Sequence, residues 1–140
     1  MELLHNYPIT GSAEFEFARL TYHESISLIR LEFTRDILFT LKEVMLVFEA
    51  SQQLSGGKPF HMISVVDVRF KPDREIYDFM VSEARRERVL SEAFALPSST
   101  LRILYNFYRR IKKPQIPSRA FKTEEDALSW SLSVISAQNK

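Results

Sequence analysis

The chain of 140 residues contains no cysteine, which excludes disulfide bonds, thiol catalysis and cysteine-ligated metal centres. It has only three glycines, and none belongs to a glycine-rich loop of the kind that cradles nucleotide phosphates. No hydrophobic run approaches the roughly 20 residues that span a bilayer. The first residues also lack the basic and apolar regions of a signal peptide. We therefore expect a cytoplasmic protein without a membrane span.

The chain also lacks an excess of either charge, because its 19 basic and 18 acidic residues give a net charge of +1. A domain that works mainly on nucleic acid carries an excess of Lys and Arg to meet the phosphates. The histidines, His5, His23 and His61, do not have the spacing that places two metal ligands on one helix face. We expect no nucleic-acid partner, no cofactor, no metal and no enzymatic activity.

What the chain does have is apolar and aromatic content, 45% hydrophobic and 12% aromatic residues. A chain of this length can bury roughly 68–70% of its unfolded surface in one core without a covalent staple. We predict a single domain over residues 1–140, with residues 1–12 as a poorly ordered N-terminal tail.

The first half of the chain predicts a hairpin followed by a long helix. Polar and apolar residues alternate from residue 13, which indicates a strand over 13–22, and a second strand follows over 26–33. The short polar link between them predicts antiparallel pairing. Thr34 is placed to cap a helix over 35–54, which ends at a glycine pair.

The second half predicts alternating strands and helices. In chain order these are a central strand at 60–68, a helix at 73–86, a strand at 88–96, a helix at 98–112, a short strand ending at Phe121 and a helix capped by Thr123. Strands separated by helices pair in parallel through right-handed crossovers. The predicted fold class is therefore α/β, ββαβαβαβα, with a mixed, mostly parallel sheet and packed helices.

Several segments resemble a known family. They are Leu54-Ser55-Gly56-Gly57-Lys58-Pro59, Val65-Val66-Asp67-Val68-Arg69, Pro114-Gln115-Ile116-Pro117-Ser118-Arg119-Ala120-Phe121 and Glu124-Glu125-Asp126-Ala127-Leu128-Ser129-Trp130. In these segments and in its element order the chain resembles the STAS-like domains related to bacterial anti-sigma-factor antagonists. Within them it is most similar to a bacterial branch of small proteins without an assigned function.

The resemblance implies a non-enzymatic domain that docks to a protein partner. In the family, docking to a kinase is switched off by phosphate on a serine after the central strand. Asp67 matches the aspartate at the end of that strand, but residues 68–75 contain no serine or threonine. The resemblance therefore implies the fold without the phosphorylation switch. Lipid-binding CRAL-TRIO domains share the general layout, which implies an apolar ligand as a second possibility.

Candidate functional residues lie near the predicted strand and helix ends. Asp67 and Arg69 follow the central strand at the edge where open α/β sheets bind ligands, although they also suit a structural ion pair or a helix cap. Asp73 suits a cap of the second helix. Ser98 and Ser99 precede a helix, whose free amides can hold an anion but more commonly accept an ordinary serine cap.

Arg109 and Arg110 belong to a basic cluster that runs to Lys113, with Tyr105, Phe107 and Tyr108 interleaved. Basic and aromatic residues together suit RNA or an anionic lipid surface. At the end of a helix, however, cations also offset the negative end of the helix dipole, and we favour that interpretation.

The function predicted from the sequence is a protein-interaction or regulatory module. We expect it to form a homodimer or to bind a protein partner through the apolar helix at 35–54 or the edge hairpin. The alternative is a carrier or sensor of a small apolar or amphiphilic ligand, held between the sheet and the helices.

Overall fold

The computed structural model describes residues 4–36, 39–67 and 74–139. Within these residues six strands form one sheet in the order of the chain. The strands are β1 (Gly11–Glu14), β2 (Ala18–His23), β3 (Leu28–Phe33), β4 (Phe60–Val65), β5 (Val89–Ala95) and β6 (Ser118–Phe121). The helices are α1 (Leu41–Leu54), α2 (Arg74–Met80), α3 (Glu83–Arg86), α4 (Ser99–Ile111) and α5 (Glu124–Gln138).

The first three strands pair antiparallel and β3 to β6 pair in parallel. The predicted mixed α/β sheet with packed helices is thus confirmed. The region 13–22, however, was wrongly predicted as one strand. It contains parts of β1 and β2, because the chain turns at Phe15, whose N–H donates to the Ala18 carbonyl at 2.8 Å. Gly11 and Ser12, which the prediction assigned to a tail, begin β1.

The three connections between parallel strands all pass over the same face of the sheet. Val47 of α1 packs in a cluster with Leu31 and Met62, and Leu101 of α4 packs with Phe94. Crossovers between consecutive neighbouring strands lie on one face when they share one hand, as the rule for right-handed βαβ units requires. This face of the sheet therefore carries α1, α2, α3 and α4.

The opposite face is covered by α5. Leu128 and Ala127 are fully buried against Ile63 of β4 and Ala93 of β5. Ala127 of α5 and Ala93 of β5 have small side chains, which let the helix approach the sheet closely. At the N-terminal end of α5 the Glu124 carboxylate accepts two hydrogen bonds from the Arg30 guanidinium, at 2.6 and 3.0 Å. Both faces of the central strand are covered, and all six residues of β4 are buried.

Helix α1 begins at Leu41, so the predicted start at residue 35 with Thr34 as the cap was wrong. Thr40 is the N-cap, and Glu43 accepts hydrogen bonds from the Thr40 N–H at 2.9 Å and from the Thr40 hydroxyl. This reciprocal capping box satisfies donors of the first turn that would otherwise be free. Residues 37 and 38, part of the predicted apolar stripe, lie outside the described residues. The predicted stop is confirmed at Gly56 and Gly57, which have positive φ angles of 64° and 81°.

The second predicted helix, 73–86, is two short helices. Ser82 occupies the N-cap position of α3 with an extended backbone, which interrupts the helix after α2. The break turns α3 so that Arg85 reaches into the protein, where it is 5% exposed.

The last elements follow the prediction closely. Strand β5 and α4 lie within two residues of their predicted ends, and α5 begins directly after its predicted cap. Thr123 caps α5 as predicted, and its hydroxyl accepts a hydrogen bond from the Asp126 N–H at 3.2 Å. No helix within the described ranges has the length and apolarity needed to cross a membrane.

The two threonines give a direct test of where α1 begins. Thr40→Ala removes the N-cap side chain and should lower the free energy of unfolding by about 1 kcal/mol. Thr34→Ala is the matched control, because Thr34 is exposed outside the helix, and it should change stability by less than about 0.5 kcal/mol. Urea denaturation of both variants measures the difference. A larger loss for Thr34→Ala than for Thr40→Ala would contradict the observed helix start.

Candidate ligand-binding cavity

The helical layer over the sheet does not fill the space above the strands, and an apolar cavity remains. Its floor is formed by side chains of the central strands that point to the α1 face. Successive residues of a strand alternate between the two faces, so Met62, Ser64 and Val66 line the cavity from β4 and the residue after it. Phe94 and Leu96 do the same for β5.

Three helices form the walls. Helix α1 contributes Val44, Val47 and Phe48. Helix α2 contributes Ile76, Tyr77 and Met80, and α4 contributes Leu101, Tyr105 and Tyr108.

The aromatic walls are held by contacts between rings. Tyr77 and Tyr108 stack with centroids 5.4 Å apart, and the ring of Tyr105 lies 5.2 Å from that of Phe94. Because α2 has only seven residues, these stacked rings join it to α4 where backbone contact is limited.

The cavity has a volume of about 120 Å³. An engineered apolar cavity of about 150 Å³ stays dry and binds benzene, so the space is of the right order for a small ring. It is partly open at the surface of the domain, so a small molecule has a way in. The cavity is therefore a candidate ligand site.

A buried ion pair lies at one wall of the cavity. Arg85 of α3 and Glu92 of β5 form two parallel hydrogen bonds at 2.6 and 2.7 Å, and their side chains are only 6% and 5% exposed. The guanidinium also donates to the Met80 carbonyl at 3.3 Å, and the Met62 sulfur lies 3.5 Å from it. A charge removed from water is tolerated only when it is paired and hydrogen-bonded, and both conditions hold for this pair.

Neutral hydroxyl groups supply the remaining polarity. The Tyr105 hydroxyl lies 2.6 Å from Ser118 Oγ. Burial raises the pKa of Tyr105 to about 12, with a smaller opposing effect of the hydrogen bond to Ser118. Tyr105 is thus a neutral phenol at physiological pH. Tyr77 donates to the Lys112 carbonyl at 3.1 Å, and desolvation likewise raises its pKa.

The described residues that were predicted as functional do not line this cavity. Asp67 is exposed after β4, whereas Arg69 and Asp73 lie outside the described residues. Ser98 caps α4, and its hydroxyl accepts a hydrogen bond from the Leu101 N–H at 3.3 Å. Ser99 is exposed in the first turn of α4.

Arg109 and Arg110 are exposed in the last turn of α4. That position at the C-terminal end of a helix agrees with the interpretation that these cations offset the helix dipole. Neither residue lines the cavity.

Sequence reasoning missed the residues that line the cavity, and Arg85 and Glu92 in particular. Arg85 belongs to the charged run Arg85-Arg86-Glu87-Arg88, which does not indicate that one of its members is buried. The available signal was Glu92, a carboxylate in the middle of the apolar strand predicted at 88–96. A charged residue at an inward position requires a buried counterion, and the break between α2 and α3 supplies one.

The histidines lie elsewhere. His61 faces α5, on the side of the sheet opposite to the cavity, with Nδ1 2.7 Å from Ser91 Oγ. Burial lowers the pKa of His61. His23 Nδ1 lies 2.7 Å from the Tyr7 carbonyl. Across residues 4–36, 39–67 and 74–139, no three His, Asp or Glu side chains form a group able to hold a metal ion.

Comparison with known proteins gives one match. Residues 23–134, well over half of the chain, match a family described as "Domain of unknown function (DUF7793)". No curated protein matches the chain, and no solved structure does. The matched range covers every element from the end of β2 to most of α5, and thus the whole cavity.

Substituting one member of the buried ion pair should destabilise the domain strongly, and substituting the other member as well should restore most of the stability. Glu92→Leu should lower the free energy of unfolding by roughly 3–5 kcal/mol, because it leaves the Arg85 charge buried without a counterion. Adding Arg85→Met should restore most of that loss, since a neutral apolar pair can replace a buried ion pair. Urea denaturation of the single and double variants measures both effects.

The control for this prediction is Glu14→Ala. Glu14 pairs with Arg19 at 3.0 Å on the surface, where the two side chains are 68% and 53% exposed. Its removal should cost less than about 1 kcal/mol. If Glu92→Leu cost no more than Glu14→Ala, Arg85 and Glu92 would not form a buried pair in solution.

Proposed function

The chain belongs to the DUF7793 family of unknown function, and we propose that this domain binds a small apolar molecule in the cavity between the sheet and α1, α2 and α4. The proposal is the alternative expected from the sequence, a carrier or sensor of an apolar ligand. The observation that carries it is the cavity of about 120 Å³, lined almost entirely by aliphatic and aromatic side chains.

The location of the cavity supports binding rather than imperfect packing. It lies where three separate helices and the central strands meet, whereas the opposite face of the same strands is closed tightly by α5. Pockets for small molecules are typically concave and largely apolar, with a few fixed polar groups. The Tyr105–Ser118 hydroxyl pair is a polar group of this kind.

Toluene is a suitable first probe, because it is apolar and close in size to the cavity. In an NMR titration of the 15N-labelled protein, we expect saturable shifts of the amides of β4 and β5, near Met62 and Phe94. Val44→Phe should weaken this binding by at least about tenfold, because the added ring occupies the space that the ligand needs.

Met45→Phe is the matched control on the same helix. Val44 lines the cavity, whereas its neighbour Met45 is 49% exposed. This enlargement should therefore leave toluene binding unchanged. The proposal fails if toluene gives no saturable shifts, or if the two variants affect binding equally.

A second candidate function, the protein-interaction module expected from the sequence, is favoured by the outer face of α4. Ile103, Phe107 and Ile111 are 67%, 56% and 59% exposed. Residues four apart lie on one side of a helix, so these three form an apolar stripe, which we call the α4 stripe.

The charge around the α4 stripe supports one class of partner. Residues 99–113 include five Arg or Lys residues and no Asp or Glu. A protein segment with apolar residues bordered by acidic ones would complement both features. A second copy of α4 would meet the same positive charge, so the expected homodimer has less support here than an acidic partner. Self-association through α1, where Met45 is exposed, stays a prediction, as does the relationship to STAS-like domains.

A synthetic amphipathic peptide tests the α4 stripe. A labelled helix with Leu on one face and Glu on the other should bind in fluorescence anisotropy, more weakly at high salt, and its Lys-for-Glu counterpart should not. Phe107→Ser should weaken binding at least about fivefold. Leu90→Ser, at an exposed residue of β5, is the control. Equal binding of the two peptides, or binding only to anionic lipid vesicles, would refute an acidic protein partner.

A further inference from the structure

We propose that the cavity selects uncharged ligands and rejects carboxylates and amines of the same size. This inference rests on the proposed function, and it adds the chemical class of the ligand. The selectivity comes from the way the two charged side chains at the cavity wall neutralise each other.

The charges that the described residues contribute to the lining sum to zero. Among the described residues that line the cavity, Arg85 and Glu92 are the only charged ones. Each Glu92 oxygen accepts a hydrogen bond from one of the two terminal guanidinium nitrogens. The cation is thus already paired with an anion in bidentate geometry, which is the strongest form of the interaction. A ligand carboxylate finds no free cation, and a ligand ammonium finds no free anion.

A ligand that places its charged group against this lining would therefore lose hydration without gaining a partner. An isolated ion transferred into an apolar environment pays a large desolvation penalty unless it is paired and hydrogen-bonded. An uncharged ligand of equal size pays no such cost and gains the same apolar burial. Each factor of ten in affinity requires only about 1.4 kcal/mol, so even a small part of this penalty gives strong discrimination.

The cavity can nevertheless accommodate one neutral polar group. The Tyr105 and Ser118 hydroxyls form a pair at 2.6 Å, and each hydroxyl oxygen can accept more than one hydrogen bond. Ser64 lines the same cavity from β4 and is 3% exposed. Hydroxyls donate and accept without carrying charge, so they suit an alcohol, a phenol or a carbonyl group on an apolar body.

Three ligands of nearly identical size test the selectivity. Benzyl alcohol, benzoate and benzylamine share one ring and differ in charge at neutral pH. By NMR titration at pH 7, benzyl alcohol should bind the wild-type protein at least about tenfold more tightly than either ion. Toluene provides the reference for apolar binding without a polar group.

Glu92→Gln should remove the discrimination against benzoate. The substitution keeps the size of the side chain but leaves the Arg85 charge without a counterion. Benzoate can then supply the missing carboxylate, and its affinity should rise at least about tenfold while that of benzyl alcohol changes less than about threefold. Arg85→Met combined with Glu92→Leu is the control, because it removes both charges and should still discriminate against benzoate.

The outcomes separate the two proposals. If toluene gives no saturable shifts, the proposed function is wrong. If toluene binds but benzoate or benzylamine binds the wild-type protein as tightly as benzyl alcohol, the cavity binds ligands without selecting by charge, and this inference alone is wrong. The wild-type comparison decides this even if Glu92→Gln does not fold.

Discussion

The architecture of this domain depends on the shared hand of its three crossovers. Strands β3 to β6 are neighbours in the order of the chain, so crossovers of one hand place α1 to α4 on the same face. Within the described residues, α2 has seven residues and α3 has four, and the layer they form with α1 and α4 leaves a cavity over the sheet. The opposite face is covered by one long helix, α5, whose Ala127 and Leu128 are fully buried against the sheet. The cavity follows from that asymmetry.

The buried ion pair connects this helical layer to the sheet. Arg85 comes from the shortest helix and Glu92 from a central strand, so their two hydrogen bonds hold α3 against β5. A buried pair of this kind is weak evidence for stability, because desolvation offsets much of the attraction. Its consequence for function is clearer, since mutual neutralisation leaves an apolar space without free charge. The same contact thus supports the fold and defines what the cavity can bind.

Much of the fold was predictable because burial leaves a periodic trace in the sequence. The apolar run at β4, the glycine pair after α1 and the Thr123 cap all specify local structure through short-range chemistry. The start of α1 was not predictable in this way. Thr34 and Thr40 are both suitable caps, and only the reciprocal hydrogen bonds with Glu43 show which one is used. The break at Ser82 was missed because Ile76, Met80 and Ala84 keep helical spacing across it.

The sequence by itself determined the class of fold, the order of most strands and helices, and the absence of cysteine chemistry, since these depend on composition and on neighbours along the chain. Only the tertiary structure decided where the candidate site lies. Arg85 and Glu92 become partners, and Tyr105 meets Ser118, because separate elements pack against each other. A cavity lies between elements that are distant in the sequence. The periodicity of the chain therefore does not predict how completely three helices cover a sheet.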